Sequence, residues 1–123
     1  MRSADDRRAA LQRGQQAEAL VAEHLIGLGW TVLDQNWHGV GGELDIVAVR
    51  NNVLRFIEVK GRFLGEDALE AITASKQNKL RRTAEAWLLA HGDDFEEMAF
   101  TVAVVTFDPS GWQVALLDDA FDG

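Results

Sequence analysis

The chain has no cysteine. That excludes a disulfide-stapled scaffold and a zinc site built on thiolates, and it fits a reducing, cytoplasmic setting. No stretch approaches the ~20 apolar residues of a membrane span. The segment Met1 to Arg13 is charged and has no apolar centre, unlike a signal peptide. A cytoplasmic protein with no membrane partner is therefore expected. Repeats, linkers and low-complexity stretches are missing too. The 123 residues, 47% apolar, suffice for one domain with a real core and not for two. We expect one domain over residues 1–123, with 1–13 prone to fray and 118–123 as a tail. The three histidines (His24, His38, His91) show no metal-ligand spacing and read as surface or helix-face residues.

Lysine and arginine are missing from residue 93 onward, where eight acidic residues stand. The remainder holds 12 acidic and 12 basic side chains, so the whole net charge of −8 comes from the last quarter. The neutral part carries local basic clusters, Arg7-Arg8-Arg13 and Lys76-Lys79-Arg81-Arg82. These can meet phosphates or serve as solvated helix faces.

Two short segments place acids inside strand-like sequence: Gly41-Gly42-Glu43-Leu44-Asp45-Ile46-Val47 and Phe56-Ile57-Glu58-Val59-Lys60. Both alternate in hydrophobicity. Asn51 and Asn52 stand between them, residue types that tolerate the left-handed backbone of a tight hairpin. A two-residue turn there pairs Arg50 with Val53, Asp45 with Glu58 and Glu43 with Lys60. Opposed side chains have Cβ atoms roughly 4.5–5.5 Å apart. Two carboxylates that close repel unless a cation lies between them, and Mg²⁺ held by carboxylates, waters and substrate phosphates meets that need. Lys60 projects from the same face as Glu58. Singly, each residue has an ordinary explanation. Glu43 and Asp45 suit the solvated face of an edge strand, and Lys60 opposite Glu43 suits a cross-strand ion pair. The joint pattern favours a site.

Helical spacing predicts a first helix from about Asp5 to Leu28, with Ala17, Leu20, Val21, His24, Leu25 and Leu28 on one face. Ser3 is its expected cap, Gly27 and Gly29 mark its end, and Gly14 is a point of breakage or fraying. A short strand follows at Trp30–Leu33, then a loop at Asp34–Gly42 and the hairpin to about Arg62. Gly65–Ala74 reads as a loop or short helix. Ser75 is the expected cap of a second helix that runs to Ala90, with Leu80, Ala84, Trp87, Leu88 and His91 on one face and Gly92 as its stop. Strands at Phe100–Phe107 and Trp112–Leu117 flank a turn at Asp108-Pro109-Ser110-Gly111. The order is α-β-β-β-α-β-β, a mixed sheet with helices packed against it.

Gly42-Glu43-Leu44-Asp45-Ile46-Val47 followed by Phe56-Ile57-Glu58-Val59-Lys60-Gly61-Arg62 resembles the YraN-like family. These are small bacterial proteins of the PD-(D/E)xK nuclease superfamily, similar in fold to archaeal Holliday-junction resolvases. The resemblance runs from about Gly14 to Phe121 and takes in Glu18, Gly29, Asn36-Trp37, Lys76 and Ala120-Phe121. The chain departs from the family's pattern at Ala17, at His38 and at Ala99-Phe100-Thr101.

The resemblance implies a restriction-endonuclease-like α/β domain, a mixed β-sheet flanked by helices. It implies that Asp45, Glu58 and the main-chain carbonyl of Val59 ligate Mg²⁺ or Mn²⁺. Lys60 would orient or deprotonate the attacking water. Glu18 would add a further ligand or hold a water, and Glu43 would hold Lys60 or a second metal. Lys76, Lys79, Arg62 and a protonated His38 would contact nucleic-acid phosphate. The expected function is metal-dependent hydrolysis of nucleic-acid phosphodiesters, DNA ahead of RNA, and the resolvase likeness makes a homodimer one expected arrangement. Two other functions compete: a nucleic-acid-binding or scaffolding module with the nuclease fold but little catalysis, and a protein-interaction domain that uses the acidic C-terminal quarter.

Overall fold

The computed structural model describes residues 4–63, 73–92 and 94–118. The expected cap at Ser3, most of the segment from Gly65 to Ala74, and Ala120-Phe121 lie outside the described residues. The elements are α1 (Ala4–Gly27), β1 (Thr31–Gly39), β2 (Gly42–Arg50), β3 (Val53–Phe63), α2 (Ala74–His91), β4 (Glu97–Asp108) and β5 (Gly111–Asp118). The expected order α-β-β-β-α-β-β holds. The five strands form one sheet in the order β1-β2-β3-β4-β5. Its ladders are antiparallel except β3–β4, which is parallel. Parallel neighbours need a long crossover, and the chain between β3 and β4 contains α2.

Alternation along the strands sends side chains to two cores. On one side Ala17, Val21, Ala22 and Leu25 of α1 pack on Ile46, Ala48, Ile57, Ala103 and Val105. On the other, Ala84 and Trp87 of α2 pack on Leu44, Val47, Leu54 and Phe56. One helix therefore covers each face of the sheet.

The structure corrects several local expectations. α1 continues unbroken through Gly14. A single glycine costs a helix about 1 kcal/mol, and good helix formers on both sides offset it. His24 and Leu28 of the expected apolar face are exposed, while Ala22 is buried in their place. The cap of α2 is Thr73, whose hydroxyl accepts from Lys76 N at 3.2 Å, so Ser75 lies inside the first turn. Gly92 ends α2 as expected, with φ 95 and its N–H donating to Leu88 O at 2.8 Å.

The turn at Asn51-Asn52 also forms as expected, with φ of 50 and 62. The stretch expected as a loop, Asp34–Gly42, is mostly strand. β1 runs to Gly39, which pairs with Gly42 across a tight turn at Val40-Gly41. β1 is an edge strand and its pattern is largely exposed, so a polar, glycine-containing sequence is tolerated there. Among the described residues no helix is long and apolar enough to cross a membrane.

Candidate active site

Asp45 sits where the sheet opens. The β2–β3 ladder follows the expected register from Arg50–Val53 to Ile46–Ile57 and stops there. β3 meanwhile continues along β4 as far as Phe63. On the other side, β1 pairs Gln35 with Ile46 and Trp37 with Leu44 but leaves out Asn36, the residue opposite Asp45, which has φ 50. Leu44 and Val47, three residues apart, share the α2-side core, so strict alternation also fails across this point. The N–H of Val59 donates to Asp45 Oδ2 at 2.8 Å. A side-chain carboxylate thus takes a main-chain donor of β3 beyond the end of its ladder with β2.

The ladder ends before the expected Asp45–Glu58 pair, and the two side chains instead line one cleft. Beyond the end of the ladder their carboxyls come close enough for the Asp45 charge to act on Glu58. With Lys60 they line a cleft of about 650 Å³ that also contains His38, Glu43, Lys76, Lys79 and Thr83. Acids of the sheet form one wall, and the lysines of α2 form the other. Gly42 belongs to this meeting point: at φ 146, an added Cβ would stand 3.1 Å from Lys79 Cε. Glu18 enters from α1. One carboxylate oxygen each from Glu18, Glu43 and Asp45 lie within 4.8 Å of one another.

Burial pushes the Glu58 carboxyl up to about 7, and the adjacent Asp45 charge adds to the shift. Asp45 is also raised, first by burial, against the opposing pull of the Val59 N–H. Glu18 is raised by burial, while the influence of Asn36 acts the other way and the Asp45 and Glu43 charges add to the rise. The folded chain therefore binds protons here that the unfolded chain has released. That stabilisation is complete below the ordinary Glu value of 4.5 and is lost as pH rises through about 7. For metal-free protein, the melting temperature is expected to fall between about pH 5 and about pH 8. Glu58→Gln should flatten that slope. An equal slope in the variant, measured by thermal melts across the range, would contradict the shift.

Other expected site residues are placed differently. Glu43 pairs with His38 at 3.7 Å, its neighbour across the β1–β2 ladder, rather than with Lys60. The reason is that β2 stays paired with β1 after it has left β3. Arg62 is not among the cleft-lining residues, and its Nε donates to Thr106 Oγ1 at 2.9 Å. Lys76 and Lys79 are exposed and line the cleft as expected. Asn36 received no role from its sequence position. Its signals were its place in the family resemblance and its residue type, since asparagine accepts the left-handed backbone more readily than most. The acidic C-terminal quarter is partly committed to the fold: Asp118 pairs with Arg55 and accepts from Thr101 Oγ1 at 3.1 Å.

The uncharacterised protein family UPF0102 matches residues 17–108, which include every cleft residue. A UPF0102 protein of Methylocella silvestris is 41% identical over 91 residues, covering 74% of this chain and 73% of the relative. One from Rhodopseudomonas palustris is 41% identical over 96 residues, with 76% and 71% covered. One from Anaeromyxobacter is 36% identical over 122 residues, with 98% and 90% covered. With the family match spanning most of its length and relatives this similar, the chain belongs to the UPF0102 family.

Proposed function

We propose that this chain is a metal-dependent nuclease of the PD-(D/E)xK type that hydrolyses nucleic-acid phosphodiesters, with DNA as its substrate. The reading is carried by one observation. Two half-buried carboxyls, Asp45 and Glu58, line one cleft where the sheet opens, close enough for the charge of one to act on the other, with Lys60 beside them. Such a pair is costly unless neutralised. Protons do this at low pH, and a cation would do it above about 7. Carboxylates are hard oxygen donors, which suit Mg²⁺ or Mn²⁺ over softer metals.

Asp45 and Glu58 would hold the metal, with Glu18 and Glu43 reaching the same region through Asp45. A bound metal would supply charge for the scissile phosphate and lower the pKa of the attacking water. Lys60 orients that water and, in its neutral form, takes the water's proton. Lys76, Lys79 and His38 receive the phosphates that flank the scissile bond, and Glu43 keeps His38 oriented toward the cleft.

Titration calorimetry with Mn²⁺ tests the site. Wild-type protein is expected to bind, and Asp45→Asn to lose at least about tenfold in affinity. Equal affinity in both would remove the metal site. Cleavage assays on duplex, branched and single-stranded DNA and on RNA then test turnover. Binding of DNA without cleavage under saturating Mn²⁺ would favour the binding or scaffolding module instead.

A further inference from the structure

We propose that the rings of Phe63 and Trp112, with the Arg13 guanidinium, form a second contact surface that takes the unpaired bases of a single nucleic-acid strand. The choice of occupant rests on the nuclease reading above, while the surface itself is read from geometry. The strand register sets three aromatic residues side by side: Phe63 of β3 pairs with Phe107 of β4, and Phe107 pairs with Trp112 of β5. Ring centres are 6.0 Å apart in the first pair and 4.3 Å in the second. Phe107 packs against the α1-side core. Phe63 and Trp112 do not follow it inward. At 44% and 42% they are the exposed aromatic side chains among the described residues. A hollow of about 380 Å³ opens against Phe63, Phe107, Asp108 and Pro109.

Arg13 supplies the charge. Its guanidinium carbon lies 5.0 Å from the centre of the Phe63 ring. Bases stack on aromatic rings and on guanidinium planes alike, whatever their sequence. The Arg13 N–H groups are donors for the phosphates that join stacked bases. From Ala4 to Gln16 no described side chain of α1 is buried. Asp5 and Asp6 offset Arg7 and Arg8 there, which leaves Arg13 as the charge that counts. Asp108 would repel phosphate, but its carboxylate is engaged in its own turn, accepting from Ser110 N at 2.7 Å. A row of rings can simply seal the end of a core, and Phe107 does so. That role does not account for two rings left open on either side of it, one beneath a cation. Inside a duplex the base faces are stacked on one another, so only unpaired bases reach such rings. Phe63 lies three residues beyond Lys60, roughly 10 Å along β3 and on the opposite face of the sheet. A strand held in the cleft therefore meets the patch by passing round the end of β3.

The test is fluorescence anisotropy of a labelled oligothymidylate of about 12 nucleotides, with an oligouridylate and a duplex of the same length alongside. The full chain is used at low salt with EDTA, so no metal takes part. Phe63→Leu and Trp112→Leu keep apolar bulk and remove the ring. Each is expected to weaken single-strand binding about 5- to 100-fold and to leave duplex binding unchanged, while Trp112→Phe retains single-strand binding. Arg13→Gln should weaken it too and lower the salt dependence by about one counterion. The tighter of the two single strands identifies the sugar, and the losses must appear on it. Unchanged single-strand affinity in both leucine variants would overturn the proposal, as would equal losses on duplex or no single-strand binding by wild type. Where a leucine variant melts well below wild type, Arg13→Gln decides: unchanged affinity and salt slope would overturn it. A dimer that turns monomeric in either leucine variant, with nucleic-acid affinity unchanged, would instead assign the patch to a second copy of the chain. Unchanged single-strand affinity beside Asp45-dependent cleavage ends this proposal alone. Single-strand losses without Mn²⁺ binding by wild type end the nuclease reading and leave the surface standing.

Discussion

Lys60→Met is expected to lower cleavage by roughly 10²–10⁴-fold, the usual range for a positioned proton-transfer group, while Mn²⁺ affinity stays the same or tightens. Lys60 lines the cleft with Asp45 and Glu58, and its charge lowers the pKa of both carboxyls. Methionine has similar length and keeps the apolar stem, so packing changes little. Removing a positive charge beside a cation site cannot weaken cation binding electrostatically. The variant therefore separates the role of Lys60 from that of Asp45, whose replacement should weaken Mn²⁺ binding. Lys60→Arg sharpens the test. A guanidinium keeps the charge but does not give up its proton at working pH, so arginine should keep the positive charge without restoring the rate. Single-turnover cleavage at saturating Mn²⁺ is the measurement. Undiminished cleavage by Lys60→Met would mean that other residues carry the activity, or that a contaminant does.

Trp87→Ala is expected to cost about 3–5 kcal/mol of stability, enough to lower the melting temperature by on the order of 10–20 °C. Only 2% of Trp87 is exposed, and it anchors α2 to the sheet. Its ring meets Phe56 edge-on at 6.0 Å and stacks on His91 at 4.4 Å. Its indole Nε1–H donates to Asp34 Oδ2 at 2.8 Å, tying α2 to edge strand β1. His91 Nε2 also approaches that oxygen, at 3.4 Å. Trp87→Phe keeps most of the burial and removes the hydrogen bond, so it should cost far less, about 1 kcal/mol for the bond together with a modest packing loss. The consequence reaches the cleft because α2 carries Lys76, Lys79 and Thr83. Denaturant unfolding of both variants measures the difference. A loss below about 1 kcal/mol for Trp87→Ala would mean that α2 is held chiefly by other contacts.

Both helices, the Asn51-Asn52 turn and the Gly92 stop were legible in the chain because each depends on neighbours a few residues away. So was the hairpin register as far as Ile46–Ile57, since a two-residue turn dictates pairing next to itself. The register did not extend to the site. Where β2 leaves β3 depends on how β2 stays with β1 and β3 with β4, partners distant in sequence. That divergence gave Glu43 to His38, turned the Val59 N–H onto Asp45, and left Asp45 and Glu58 lining one cleft. Glu18 was singled out only through the family resemblance, because its arrival at the cleft requires α1 to be docked on the sheet. The extent of β1 was hidden by its polar composition, which reads as loop when its edge position is unknown. The sequence by itself determined the acids, the lysines, the element order and the local turn, all set by residue type and short-range geometry. Only the tertiary structure decided which acids meet and what orients them, because those contacts join α1, β1, β2 and β3 across long stretches of chain.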